Sequence, residues 1–115
     1  MDSKNRSYKF SLKIIELIDK LPNDMSTQII AKQLLRAATS VGANIVEAQA
    51  SPSRRDFTNF FHHSLKSANE TKYWLCLLKD ANKGSIETLN KLIQEIDELA
   101  KILGSSILTL RGKKL

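Results

Sequence analysis

The sequence predicts an all-α protein, an antiparallel up-down-up-down four-helix bundle, on three observations. Apolar residues recur at helical spacing in four segments, and no segment alternates with period two. The chain holds only 4 Gly and 2 Pro, too few for the many turns of a β-sandwich. The breaks between segments are a few residues long, which makes consecutive helices antiparallel neighbours. With 115 residues, 42% of them hydrophobic, the chain has the length and core material of a single domain over residues 1–115.

The first segment carries Phe10, Ile14, Leu17, Ile18 and Leu21 on one face and ends at Pro22-Asn23. The second is expected from Ser26 or Thr27 to about Ala50, with Ile30, Leu34, Ala38, Val41, Ile45 and Ala48 on a shared face. A third follows the Ser51-Pro52-Ser53 break, with Ser53 as N-cap and Asp56 three residues later, a capping-box-like pair. Its stripe reads Phe57, Phe60, Phe61, Ser64, Ala68, Thr71, Leu75 and Leu78. Lys83-Gly84 should end it, with the glycine in the left-handed C′ position. Ser85 then caps a fourth helix that buries Leu89, Leu92, Ile93, Ile96, Leu99, Leu103, Ile107 and Leu110.

One cysteine, Cys76, cannot form an internal disulfide and stands in no metal-ligand spacing, which points to a reducing cytoplasm. Lys13, Glu16 and Asp19 interrupt the first apolar run before it could serve as a signal peptide, and no stretch approaches the ~20 continuous apolar residues of a membrane span. No cofactor, metal or membrane partner is expected.

Charge is better resolved by place than by total. In the expected topology the N-terminus, the connection between the second and third helices, and the C-terminus share one end of the rod. These places hold Lys4, Arg6, Lys9, Arg54, Arg55, Arg111, Lys113 and Lys114 against Asp2 and Asp56. They account for the whole net charge of +6, since the ten other basic and ten other acidic residues cancel. A focused positive end attracts phosphates in a salt-dependent way. A second feature lies on the third helix, where His63, Ser67, Glu70, Trp74 and Leu77 share a face away from the phenylalanines. A Trp-Leu patch of that kind suggests an interface for self-association.

Most catalytic arrangements fail on spacing. A di-iron bundle needs inward Glu-x-x-His pairs. His62 and His63 are instead preceded, three residues earlier, by Asn59 and Phe60. There is no glycine-rich phosphate loop. Glu47 and Glu70 could be imagined as an acid/base pair, but helix carboxylates more often hold neighbouring helices together. One enzymatic pattern survives: Arg55 and His62, two turns apart, share a face with Lys66, Asn69 and Tyr73 and resemble the R-x(4–6)-H motif of the HEPN ribonucleases. A solvated polar face is the simpler reading. Along the second helix, Arg36, Ser40, Asn44 and Glu47 form a polar stripe beside small Ala37, Gly42 and Ala43, which suits hydrogen bonding to a close neighbouring helix or subunit.

QLLRAATSVGANIVEAQASPSRRDF (33–57) followed by SLKSANETKYWLCLL (64–78) resembles the signature of the four-helix-bundle family of 23S rRNA intervening-sequence proteins, often labelled S23 ribosomal protein. The likeness covers about half the chain. The family's polar positions fall on Arg36, Ser40, Asn44, Glu47 and Glu70. Many relatives end the second helix in Glu-Gly, where this chain has Glu47-Ala48. The resemblance implies assembly into a homopentameric barrel. A related branch, the accessory proteins of diversity-generating retroelements, implies nucleic acid and a reverse transcriptase as further partners. For most members the molecular function is undefined.

The sequence therefore points to a non-enzymatic homo-oligomer that binds RNA or other nucleic acid through its basic end. The alternatives are a protein-interaction scaffold and the Arg55/His62 ribonuclease.

Overall fold

The computed structural model describes residues 2–112 and contains helices α1 (Ser3–Asp19), α2 (Met25–Gln49), α3 (Arg54–Asp80) and α4 (Ile86–Gly112). All four start alike. A short polar side chain accepts the backbone N–H three residues ahead: Asp2 from Asn5, Asp24 from Thr27, Ser53 from Asp56, and Ser85 from Thr88. Each bond satisfies a donor that the first turn of a helix leaves without an intrahelical partner.

Two boundaries differ from expectation. α2 starts earlier, because Asp24 is its cap; Thr27 is buried and turns its hydroxyl back onto that carboxylate at 2.9 Å. Lys83 Nζ reaches the same group at 3.2 Å and ties it to the chain leaving α3. The Thr27 hydroxyl bond, joined by those of Ser26 and Lys83, holds the Asp24 carboxyl well below the usual carboxylate range. At the end of α3, Asn82 rather than Gly84 takes the left-handed C′ position, with φ 60°. Its N–H meets the Lys79 carbonyl at 3.1 Å while the Lys83 N–H meets that of Leu78 at 2.9 Å, a Schellman closure. Gly84 is also left-handed, φ 91°, and a Cβ there would lie 2.8 Å from a Leu21 methyl.

The helices form a square in which each packs on its sequence neighbours and α1 closes against α4, giving a rod of 50 × 21 × 20 Å. One continuous core runs its length, from Phe10 and Ile14 through Leu34, Val41 and Ile45 to Leu75, Leu99 and Leu103. Ile30 and Ile93 flank it, half-buried. Two buried hydroxyls are spent within their own helix, Thr58 on the Arg54 carbonyl and Thr71 on that of Ser67. Among the described residues no buried side-chain nitrogen or oxygen lacks a partner, as the cost of an unpaired buried polar group requires.

α1 is the short member, with 17 residues against 25 in α2 and 27 each in α3 and α4. Its Ser7 abuts Gly42 of α2, and its Arg6 meets Glu95 and Glu98 of α4. Beyond Glu98, α4 continues for ~21 Å, whereas α1 extends only ~5 Å above Arg6. Among the described residues, the upper end of the rod is therefore built by α2, α3 and α4.

Close approach at Gly42 and open space at Gly104 make opposite predictions. A Cβ at Gly42 would sit 3.0 Å from the Ser7 hydroxyl, whereas one at Gly104 meets nothing within 4 Å. Gly42→Val should destabilise by about 1–3 kcal/mol through overpacking. Gly104→Ala should stabilise by up to about 1 kcal/mol through helix propensity. Denaturant titration measures both.

Asp24 predicts a pH dependence. Its folded carboxyl titrates below its unfolded value, so its stabilisation is fully present above the unfolded carboxylate range and is lost progressively as pH falls from there through the lower folded value. Asp24→Ala should melt below wild type at neutral pH. The gap should narrow as pH drops below about 4.

Candidate nucleic-acid interface

α2 and α3 approach through small side chains, with Ala37 and Ala38 on one and Ser64 and Ala68 on the other all buried. Ser64 Oγ donates to the Val41 carbonyl oxygen across the contact at 2.7 Å. Towards solvent, Ser67 Oγ donates to Ser40 Oγ at 2.9 Å, and Asn44 Nδ2 donates to the carbonyl and hydroxyl oxygens of Ser40 at 2.8 and 2.9 Å. Arg36 donates to the Glu70 carboxylate and, at 3.1 Å, to Gln33 Oε1. The Trp74 indole N–H completes the group by donating to Glu70 at 2.9 Å.

Four of the five polar residues expected to hold helices together, Arg36, Ser40, Asn44 and Glu70, thus form one seam. Glu47 stands exposed outside it. It lies ~16 Å along α2 from Arg36, the residue that holds Glu70, so the two carboxylates are not brought together as an acid/base pair.

The residues of the expected interface on α3 differ in exposure. Trp74 is half-buried against the core and Ser67 is taken by Ser40, leaving His63 and Leu77 exposed, Leu77 at 37%. A more exposed apolar stripe follows the outer flank of the α1–α2 pair: Tyr8 at 66%, Leu12, Ile15, Leu35 and Val46. Sequence reasoning passed over it, although Tyr8, Leu12 and Ile15 recur at helical spacing on α1.

The basic residues divide into two groups. Arg54 Nη2 donates to the Leu110 carbonyl oxygen at 3.0 Å, fastening the start of α3 to the last turns of α4. A guanidinium at that position also favours the negative end of the α4 dipole. Arg55 and Arg111 are exposed at this corner. Arg6 is otherwise disposed. It lies below the corner and grips Glu95 with two bonds of 3.1 and 2.8 Å and Glu98 with one of 2.9 Å. Hydrogen bonding to Glu95, then to Glu98, raises its pKa further. Its charge is neutralised locally, so the N-terminal segment adds less to the upper end than the topology alone suggests. Lys9 is exposed on α1, and Lys4 borders a shallow concavity with Tyr8, Gly42 and Val46. Lys113 and Lys114 lie outside the described residues. Arg55 and His62 sit two turns apart on α3, and neither lines any of four main concavities among the described residues.

The family model of the 23S rRNA-intervening sequence proteins matches residues 1–105. The chain belongs to the 23S rRNA-intervening sequence protein family. It is also similar to a crystal structure of a protein of unknown function from the S23 ribosomal protein family of Bacteroides thetaiotaomicron. The two are 39% identical with a TM-score of 0.86, over 92% of this chain and 98% of that one. No curated protein matches. In this 23S rRNA-intervening sequence family member, the signature stretch accounts for the α2–α3 seam and the start of α3. No helix among the described residues is long and apolar enough to cross a membrane.

The seam's outermost pair is well exposed, at 57% for the Arg36 side chain and 36% for Glu70. A double-mutant cycle of Arg36→Ala and Glu70→Ala should give a coupling of about 0.5 kcal/mol, as for other exposed ion pairs. Glu70→Ala should also shift Trp74 emission to the red, because the indole N–H loses its partner to water.

Proposed function

We propose that this protein is a non-enzymatic homo-oligomer that binds RNA or other nucleic acid through the corner formed by Arg54, Arg55 and Arg111. The observation that carries the proposal is the Arg54–Leu110 bond. It joins the α2–α3 connection to the end of α4, so that the two basic stretches meet, with Asp56 the nearby carboxylate. Cations gathered at one end of a rod recognise phosphate backbones without reading bases. The family's name carries 23S rRNA, which makes RNA the first ligand to test. Binding is favoured over cleavage because Arg55, exposed, and His62, half-buried, do not converge on any of the bundle's main concavities.

Assembly rests on the apolar surfaces. A closed ring uses a heterologous interface, in which two different faces of one subunit meet on successive copies. The stripe of Tyr8, Leu12, Ile15, Leu35 and Val46 on the α1–α2 flank supplies one such face. The outer side of α3 at Tyr73 and Leu77, beside His63, supplies another. Five copies would agree with the homopentameric barrel that the family resemblance implies, and would set five basic corners around one rim.

Two measurements test this reading. Fluorescence anisotropy with a labelled single-stranded RNA should show affinity falling by more than about tenfold between ~50 and ~200 mM salt. The double variant Arg54→Glu, Arg55→Glu should lose binding, and affinity unmoved by either change would contradict the proposal. Light scattering should report an oligomer at micromolar concentration that Leu12→Glu with Ile15→Glu converts to a folded monomer. A monomeric wild type would rule out the assembly.

A further inference from the structure

Above the start of α1, the bundle lacks its fourth helix for ~15 Å, the difference between the α4 and α1 extensions beyond their contact at Arg6. The vacancy is an open groove of about 540 Å³. Phe57 and Phe61 of α3, stacked with ring centroids 4.9 Å apart, form its floor together with Ile102 and Leu110 of α4. Phe57, Ile102 and Leu110 are only half-buried there. On the α4 side the wall is small and hydroxylated, at Ser105 and Ser106.

We propose that this groove is a docking site for one amphipathic helix of about three turns from a partner protein, apolar on one face and acidic on its flanks. Shape argues for a helix: three corners of the square are helices, and the fourth is an unfilled channel of helical length. An apolar helix face laid into an apolar groove is a common recognition mode. Charge argues for an acidic partner. Lys101 lines the groove, and Arg54 donates to the carbonyl oxygen of Leu110, which lines it too. Below it, Glu95 and Glu98 are held by Arg6, and Asp2 caps α1 by accepting the Asn5 N–H. The inference does not depend on nucleic-acid binding.

The test uses the full chain and a fluorescein-labelled synthetic helix of about fourteen residues, with leucines at i, i+3, i+4 and i+7 and glutamates beside them. A version with lysines in place of the glutamates is the control. Two surface variants report on the groove: Lys101→Glu reverses its charge, and Ser105→Trp fills it from the exposed wall. Circular dichroism confirms that both remain folded. The expected result is binding of the glutamate helix, with each variant and the lysine control weaker by on the order of tenfold. Absence of binding by wild type, equal binding of the lysine helix, or binding unchanged by Ser105→Trp would overturn the proposal. Other occupants give other outcomes. Loss of a wild-type oligomer in Ser105→Trp would assign the groove to a second copy. RNA affinity that falls with Ser105→Trp while peptide affinity does not would assign it to nucleic acid. Peptide affinity that rises when the chain is ended at Gly112 would assign it to the chain's own last residues. Each of these would also overturn the proposal.

Discussion

Ser64 is fully buried, yet its hydroxyl spans two helices, donating to the Val41 carbonyl at 2.7 Å. Such a bond forms only where backbones lie close, and Ala37, Ala38 and Ala68 keep that approach open. Everything outward of it follows in register. Ser40 reaches Ser67, then Arg36 reaches Glu70, and Trp74 finds its acceptor on Glu70. Replacing any small residue here with a bulky one would separate the helices and strand these groups one after another. A run that looks chemical in one dimension is a packing device in three.

The second constraint is the length of α1. Its N-terminal turn is pinned at Ser7 against Gly42 and at Arg6 against Glu95 and Glu98, so it cannot slide towards the upper end. That leaves three helices to form the end where Arg54, Arg55 and Arg111 gather, with an apolar groove beneath them. Basic corner and groove are separate features. The groove lies above the start of α1, and the corner is made by the bond from Arg54 to the Leu110 carbonyl.

Much of this was legible in the sequence. Apolar periodicity located all four helices, and the Ser53 and Ser85 caps fell where expected, because a short oxygen-bearing side chain before an apolar run has few other uses. Asp24 was harder to read, since Ser26 and Thr27 follow it and either hydroxyl could have served. Asn82 was eclipsed by Gly84 because glycine is the stronger signal for a left-handed residue, although asparagine tolerates that conformation too. The seam was foreshadowed by small residues beside Arg36, Ser40 and Asn44, and Glu47 was swept in with them by spacing alone. What no pattern could convey was the partner of Arg6, on a helix 89 residues away in sequence. Nor could it convey that Trp74 is half-buried against the core, with its indole N–H on Glu70.

Central to the account is the separation of roles: the polar signature on α2 and α3 holds the bundle together, while ligand contact belongs to the upper corner. Amide chemical shifts recorded during titration with a single-stranded RNA test this most directly. The account predicts perturbations concentrated at Arg54, Arg55 and Arg111, with Ser40, Asn44, Ser67 and Glu70 unmoved. Shifts concentrated along the α2–α3 seam, with the corner silent, would contradict it.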